Sequence, residues 1–194
     1  MFSKELFELI KNRRSIRKWT NEPVADWELS KIMEAGLYAP SAANCQKLKL
    51  NLIKDEKLIK SICQHTSDWF RQNYPNAIVV VYFDLGKEDK LHINYGTPHK
   101  YWSRFIWQDS AACMENMILM AEAVEVKSCW VSHRPDREGI HEKAVKSILD
   151  IPDHYILTSF LYLGYSTQSV DYETYTHQGN RIKRDIDGSI LDKK

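Results

Sequence analysis

Residues 101–124 read YWSRFIWQDSAACMENMILMAEAV, and the rest of the chain must be arranged around them. Phe105, Ile106, Ala112, Cys113, Met117, Leu119, Met120 and Val124 occupy almost the whole circumference at helical spacing. A helix apolar nearly all round is buried at the centre of a domain or in a subunit interface. Working outward, Ala77–Phe83 (AIVVVYF) is a continuous β-branched and aromatic run, the pattern of a strand buried on both faces. Between the two, Asp84–Lys100 is polar, holds Gly86, Gly96 and Pro98, and reads as a long loop. Beyond the helix, Ser128–Ser132 is a short strand and Pro135 opens a helix carrying Ile140, Ala144, Ile148 and Leu149. Ile156–Leu163 returns as a strand closed by Gly164.

The N-terminal half has the same alternation. Ser3 is placed to cap a helix with Leu6, Phe7 and Ile10 on one face. Asp26 is placed to cap a second, with Leu29, Ile32, Met33, Gly36 and Leu37, stopped before Pro40. Leu48, Leu50 and Leu52 alternate with Lys47, Lys49 and Asn51, the period of a half-buried strand. A third helix from about Asp55 groups Leu58, Ile59, Ile62 and Cys63. Residues 165–194 have few apolar side chains and must lie on another surface or stay partly disordered. The fold class is α+β, with a mixed sheet flanked by helices in one domain spanning residues 1–194.

Composition narrows the function. A chain of 194 residues, 43% apolar, has enough apolar content for one real core. Lys+Arg 27 against Asp+Glu 26 leaves a formal charge of +1, unlike a general nucleic-acid binder. No stretch approaches the roughly 18 apolar residues of a membrane span. Charges interleave with the apolar residues of the first ten positions, so a cytoplasmic location is expected. Cys45, Cys63, Cys113 and Cys129 are widely spaced, as reduced thiols are, and the histidines lack metal-ligand spacing. No metal is expected.

Two segments carry chemistry. Arg13-Arg14-Ser15-Ile16-Arg17 packs three guanidiniums and a hydroxyl into five residues where the first helix should end. Arginine forks suit a phosphate monoester or a dianionic cofactor. The same residues also fit a solvated helix terminus whose positive charge complements the dipole. Ala39-Pro40-Ser41-Ala42-Ala43-Asn44-Cys45-Gln46 halts a helix and follows it with small residues and two amides. Small side chains let backbone approach a flat ligand, and amides read a ring bearing donors and acceptors. An ordinary helix-to-strand turn has the same composition.

Taken together, RRSIRKW and APSAANCQ resemble the nitroreductase family of FMN-dependent oxidoreductases, with its R-x-S-x-R and P-S-x-x-N-x-Q elements. Asp109–Val124 is similar to the family's central helix, Ser128–Val131 to the strand after it, and Leu161–Tyr165 to its terminal core strand. The resemblance runs from about Leu6 to Tyr165. It implies that Arg13, Arg14, Ser15 and Arg17 hold the ribityl phosphate and pyrimidine edge of FMN. It implies that Pro40, Ser41, Ala42 and Asn44 reach the same flavin from the partner subunit of a homodimer. Val131 and Ser132 would pass their backbone near flavin N5, and Arg181 and Arg184 would add charge at the phosphate. The tail would then be domain-swapped around the other subunit.

The implied activity passes hydride from NAD(P)H through flavin N5 to a small organic acceptor of the nitroaromatic, quinone or enone class. It would be a ping-pong cycle in which no side chain acts as acid, base or nucleophile, because the cofactor carries the chemistry. Tyr101, Trp102, Phe105 and Trp107 fit either a lid over the flavin or interface packing, and His133 and Arg134 either a substrate contact or surface residues. The sequence departs from the family where Val124-Glu125-Val126-Lys127-Ser128 replaces a glycine-bearing turn, at Ser132, and at Lys47-Leu48. A β-carbon at a position needing positive φ would be strained. Two other readings accommodate these departures: a specialised biosynthetic flavoenzyme acting on one metabolite, and a non-catalytic protein of this fold that has lost flavin.

Overall fold

The computed structural model describes residues 4–66, 70, 73–86, 99–132 and 139–168, without the side chains of residues 4 and 99–104. In chain order the elements are α1 (Lys4–Asn12), α2 (Asp26–Leu37), a 3-10 turn (Ala42–Asn44), β1 (Leu48–Ile53) and α3 (Glu56–Cys63). They continue as β2 (Ala77–Asp84), α4 (His99–Ala123), β3 (Lys127–Val131), α5 (Ile140–Ile148) and β4 (Tyr155–Gly164). Ser3, residues 87–98 of the expected loop, and Pro135 lie outside the described residues; α5 itself begins at Ile140, after Gly139.

The four strands are ordered β1-β2-β4-β3 and every pairing is antiparallel. This corrects the expectation of a mixed sheet. The reason lies in the connections. α3 leaves the sheet at Ile53 and the chain re-enters at the same end, where Ile78 pairs with Ile53. The longer α4 does run back along the sheet, so β2 and β3 point the same way, but β4 inserts between them. Among the described residues the parallel component is one isolated bridge, Ser15 to Ser128.

Strand period sorts the core into two layers. On one face of the sheet Ile78, Val80, Phe160 and Tyr162 pack with Ile59, Ile62 and Val145 from α3 and α5. On the other, Val79, Val81, Leu161 and Leu163 pack with Leu29, Ile32, Met114 and Met117 from α2 and α4. β2 is therefore buried on both faces, as its continuous apolar run predicts. At Gly36 a β-carbon would sit 2.7 Å from Cγ of Met117, so a glycine is what lets α2 and α4 approach so closely.

The helix ends are specified locally. Asp55 caps α3, its side chain accepting from the Leu58 amide at 2.9 Å. α2 is capped differently from expectation: the N-cap is Ala25, and Glu28 three residues on accepts from the Ala25 amide at 2.9 Å. That bond is the Glu28 half of a capping box, since the alanine at the N-cap has no acceptor to offer in return, and Asp26, one residue inside the helix, bonds Lys54 instead. α4 ends in paired bonds, Glu125 N to Glu122 O and Val126 N to Ala121 O, with Glu125 left-handed at φ 63°. This is a Schellman cap with glutamate where glycine is usual. Ser132, the other departure, is not among the positive-φ residues.

Candidate functional site

The basic segment is held against the outer edge of β3. The Arg13 amide closes the last turn of α1 on Leu9 O at 3.0 Å, and the Ile16 amide bonds Ser128 O at 2.9 Å. Ile16 and Trp19 are buried and anchor the stretch from within, while Arg17 is exposed. Arg13, Ser15 and Arg17 are alternate residues of the segment that lies on β3 beside Cys129, through the Ser15–Ser128 bridge. Burial pushes that thiol up, and the Arg17 guanidinium, a Ser15 hydrogen bond and the Arg13 guanidinium act in the opposite direction. Arg14 turns the other way, donating from Nη1 to the carbonyls of Lys11 at 2.6 Å and Arg13 at 2.7 Å. It thus satisfies carbonyls at the end of α1, a basic C-cap role.

The second segment is a tight loop between α2 and β1. Ala43, Asn44 and Gln46 have positive φ (49°, 53° and 49°) although none is glycine. These three are the exposed ones, whereas Ser41, Ala42 and Cys45 are half-buried. Local bonds fold the loop: Asn44 N to Ser41 O at 2.9 Å, Cys45 N to Ala42 O at 3.0 Å, and Gln46 N to Ser41 Oγ at 3.1 Å. One tie comes from far along the chain. The carboxylate of Asp109, on α4 and 5% exposed, accepts from the Ala42 amide at 3.1 and 3.2 Å and from Cys45 Sγ at 3.7 Å. Burial raises the Asp109 carboxyl, against the opposing bonds from Ala42 and Cys45. Beside the loop lies an open cleft of about 280 Å³ lined by Gly36, Leu37, Ala39, Ser41, Gln46, Leu48 and Cys113.

The two segments do not meet within one chain. The loop leads into β1 at one edge of the sheet, and the basic segment covers β3 at the other. Four strand spacings at about 4.8 Å put roughly 19 Å between them in the hydrogen-bonding direction alone. They also face opposite ends, since Leu48 is level with Ile156 through Phe83 while Ser128 is level with Leu163. Val131 and Ser132 share the β3 edge with the basic segment; Val131 is buried and Ser132 exposed. Arg181, Arg184, His133 and Arg134 lie outside the described residues, as do the side chains of Tyr101 and Trp102. Trp107 is 54% exposed.

Sequence reasoning passed over Asp109. A lone acid on an apolar helix carries no signal of its own, and its partner is a backbone amide 67 residues away. Among the described residues no group of three or more His, Cys, Asp or Glu side chains is placed to hold a metal. None of their helices is long and apolar enough to cross a membrane. The four cysteines are free thiols, and burial pushes Cys63 and Cys113 up to about 11.

Comparison with known proteins places this geometry in a lineage. The profile of the Nitroreductase family matches residues 10–165. A protein of Archaeoglobus fulgidus, carrying the provisional name NADH dehydrogenase/NAD(P)H nitroreductase, is 30% identical over 87% of this chain and 89% of its own. Among solved structures, a Bacteroides fragilis nitroreductase with bound FMN superposes with a TM-score of 0.69 at 22% identity, covering 94% of this chain and 99% of its own. An FMN-dependent nitroreductase of Clostridium difficile also gives 0.69 at 22% identity, covering 89% and 98%. These two likenesses establish a common fold.

Proposed function

The chain belongs to the nitroreductase family, and from that premise we propose that it is a single-domain FMN-dependent NAD(P)H oxidoreductase acting as a homodimer. The observation that supports this reading best is the placement of the segment bearing Arg13, Ser15 and Arg17 on the edge of β3, bridged at Ser15 to Ser128. Two cationic forks and a hydroxyl in one place are the donor set of a phosphate monoester. Roughly 7–10 Å further along the same strand edge, two and three residues beyond Cys129 at about 3.3 Å each, Val131 and Ser132 offer backbone to a flat ring. An extended ligand with an anionic end and a ring end fits that edge, so the residues present suit FMN. Arg14 braces the segment through the carbonyls of α1.

The separation of the two segments supports the homodimer. Pro40, Ser41, Ala42 and Asn44 are too far from the basic segment to serve the same ligand in one chain. A second copy supplies them across the interface. Leu6, Phe7, Ile10, Leu37, Tyr38 and Trp107, from 46% to 78% exposed, are apolar surface that such an interface would cover. Arg181 and Arg184 would add charge at the phosphate from the tail, wrapped on the partner. Free thiols accord with a reducing cytoplasmic setting.

When bound, FMN would accept hydride from NAD(P)H and pass it in a second half-reaction to a small nitroaromatic, quinone or enone. The chain itself binds and orients. Arg13 and Arg17 compensate negative charge, and the β3 edge fixes the ring end. In this reading no side chain is assigned the part of acid, base or nucleophile. The test is the double variant Arg13→Ala, Arg17→Ala, with flavin content read from the visible spectrum of the purified protein. We expect copurifying FMN to be lost while far-UV circular dichroism stays native. A variant retaining stoichiometric flavin would overturn the reading.

A further inference from the structure

One stripe of α4 organises everything on the α2 side of the molecule. Cys113 and Met117 pack against Gly36, and Asn116 Nδ2 donates to Ala35 O at 3.1 Å, which together seat the C-terminal turn of α2. One turn earlier on the same face, Asp109 takes the Ala42 amide and the Cys45 thiol. Positions 109, 113, 116 and 117 follow helical spacing, so a single rigid face holds both the end of α2 and the loop after it.

The loop needs such an anchor. Left-handed conformations at Ala43 and Gln46 are costly for residues with a β-carbon, less so at Asn44, and persist where the surroundings over-determine them. The loop's inward donors are already engaged: Ala42 N on Asp109, and Asn44, Cys45 and Gln46 N on Ser41 and Ala42. The Asp109 carboxylate thus takes one loop amide, Ala42 N, together with the Cys45 thiol. The amides of Ala42, Asn44, Cys45 and Gln46 are therefore engaged within the protein, while Asn44 and Gln46 are exposed on the outer rim of the loop. Asp109, 5% exposed, faces the loop backbone and does not reach that rim.

We propose that Asp109 is a positioning residue for flavin: its carboxylate clamps the inner side of the 41–46 loop so that Asn44 and Gln46 are presented to the FMN of the partner subunit. This rests on the flavin-binding homodimer proposed above. It assigns a role in binding to a charged group that touches no cofactor.

The test compares Asp109→Ala, Asp109→Asn and Ser110→Ala. Ser110 is the neighbouring buried residue, bonded to Thr158 Oγ1 at 2.7 Å and not to the loop, and serves as the control for general destabilisation. FMN affinity is read by fluorescence titration of the full-length protein, and protection of the Ala42 amide by hydrogen exchange. We expect Asp109→Ala to weaken FMN binding about tenfold or more and to lose Ala42 protection, since a half-buried donor is left unpaired. Asp109→Asn, which keeps an acceptor oxygen, should restore affinity to within about threefold, and Ser110→Ala should leave it unchanged. Asp109→Ala with wild-type affinity, or an equal loss in Ser110→Ala, would overturn the proposal. A wild-type protein that binds no FMN would overturn the flavin reading instead. The clamp itself would then stand or fall on Ala42 exchange, which needs no ligand.

Discussion

At the scale of single residues, departures from expected residue types mark where this chain carries strain. Glu125 sits left-handed at the end of α4, exposed to solvent, in a position that glycine occupies without cost. Glu125→Gly should therefore raise stability by about 0.5–1 kcal/mol, the relief of left-handed strain outweighing the added freedom of the unfolded chain. Urea denaturation checks this; an unchanged or lowered midpoint would mean that the cap is unstrained. The residue identities were legible in the sequence, because Val124-Glu125-Val126 stands where a glycine turn is expected. The conformations were only partly so. The left-handed geometry at Ala43, Asn44 and Gln46 goes with bonds within the loop and with the Asp109 tie at Ala42, and alanine or glutamine gives no local sign of it.

At the scale of elements, the last strand is tied to the second helix by one phenol. Tyr165, just past β4, donates to Glu28 Oε2 at 2.7 Å, and the same oxygen accepts the Ala25 amide that caps α2. The Tyr165 carbonyl also accepts from Thr20 N at 2.8 Å. Tyr165→Phe should cost about 1–2 kcal/mol, as expected for a bond to a charged, largely buried acceptor. The bond to Glu28, with burial second, pushes the phenol up to about 12. Its folded value lies above the unfolded one, so the contribution is complete below pH 10 and fades toward pH 12. Stability curves of the wild type and Tyr165→Phe should therefore converge over that interval, and a constant gap would count against the bond. Element positions were readable because periodicity and caps such as Asp55 are local signals. Strand order was not. Antiparallel pairing throughout depends on α3 returning the chain to the end it left and on β4 entering between β2 and β3, and neither event leaves a pattern in sequence.

At the scale of the whole molecule, the two candidate segments lie at opposite edges and opposite ends of one sheet. If each flavin draws on both, a two-fold dimer carries two sites, each built half by one subunit and half by the other. A heterodimer of Arg17→Ala and Asn44→Ala subunits then has one site with both lesions and one with neither. Differently tagged copies, purified as the mixed species, should bind about one FMN per dimer with wild-type affinity, although both parent homodimers bind weakly. Uniformly weak binding in the mixed species would place both residues in the same subunit's site. The sequence named both segments and could not say that they are apart; only strand order shows it.

The bridge between Ser15 and Ser128 also sets a schedule for the newly made protein. The basic segment leaves the ribosome before β3, and among the described residues the strand that pairs β3 into the sheet is β4, ending at Gly164. During synthesis the arginines therefore have no scaffold until most of the chain has been made and the sheet has closed. Cofactor loading is in this sense the last act of folding, and it reports that the strands have found their order.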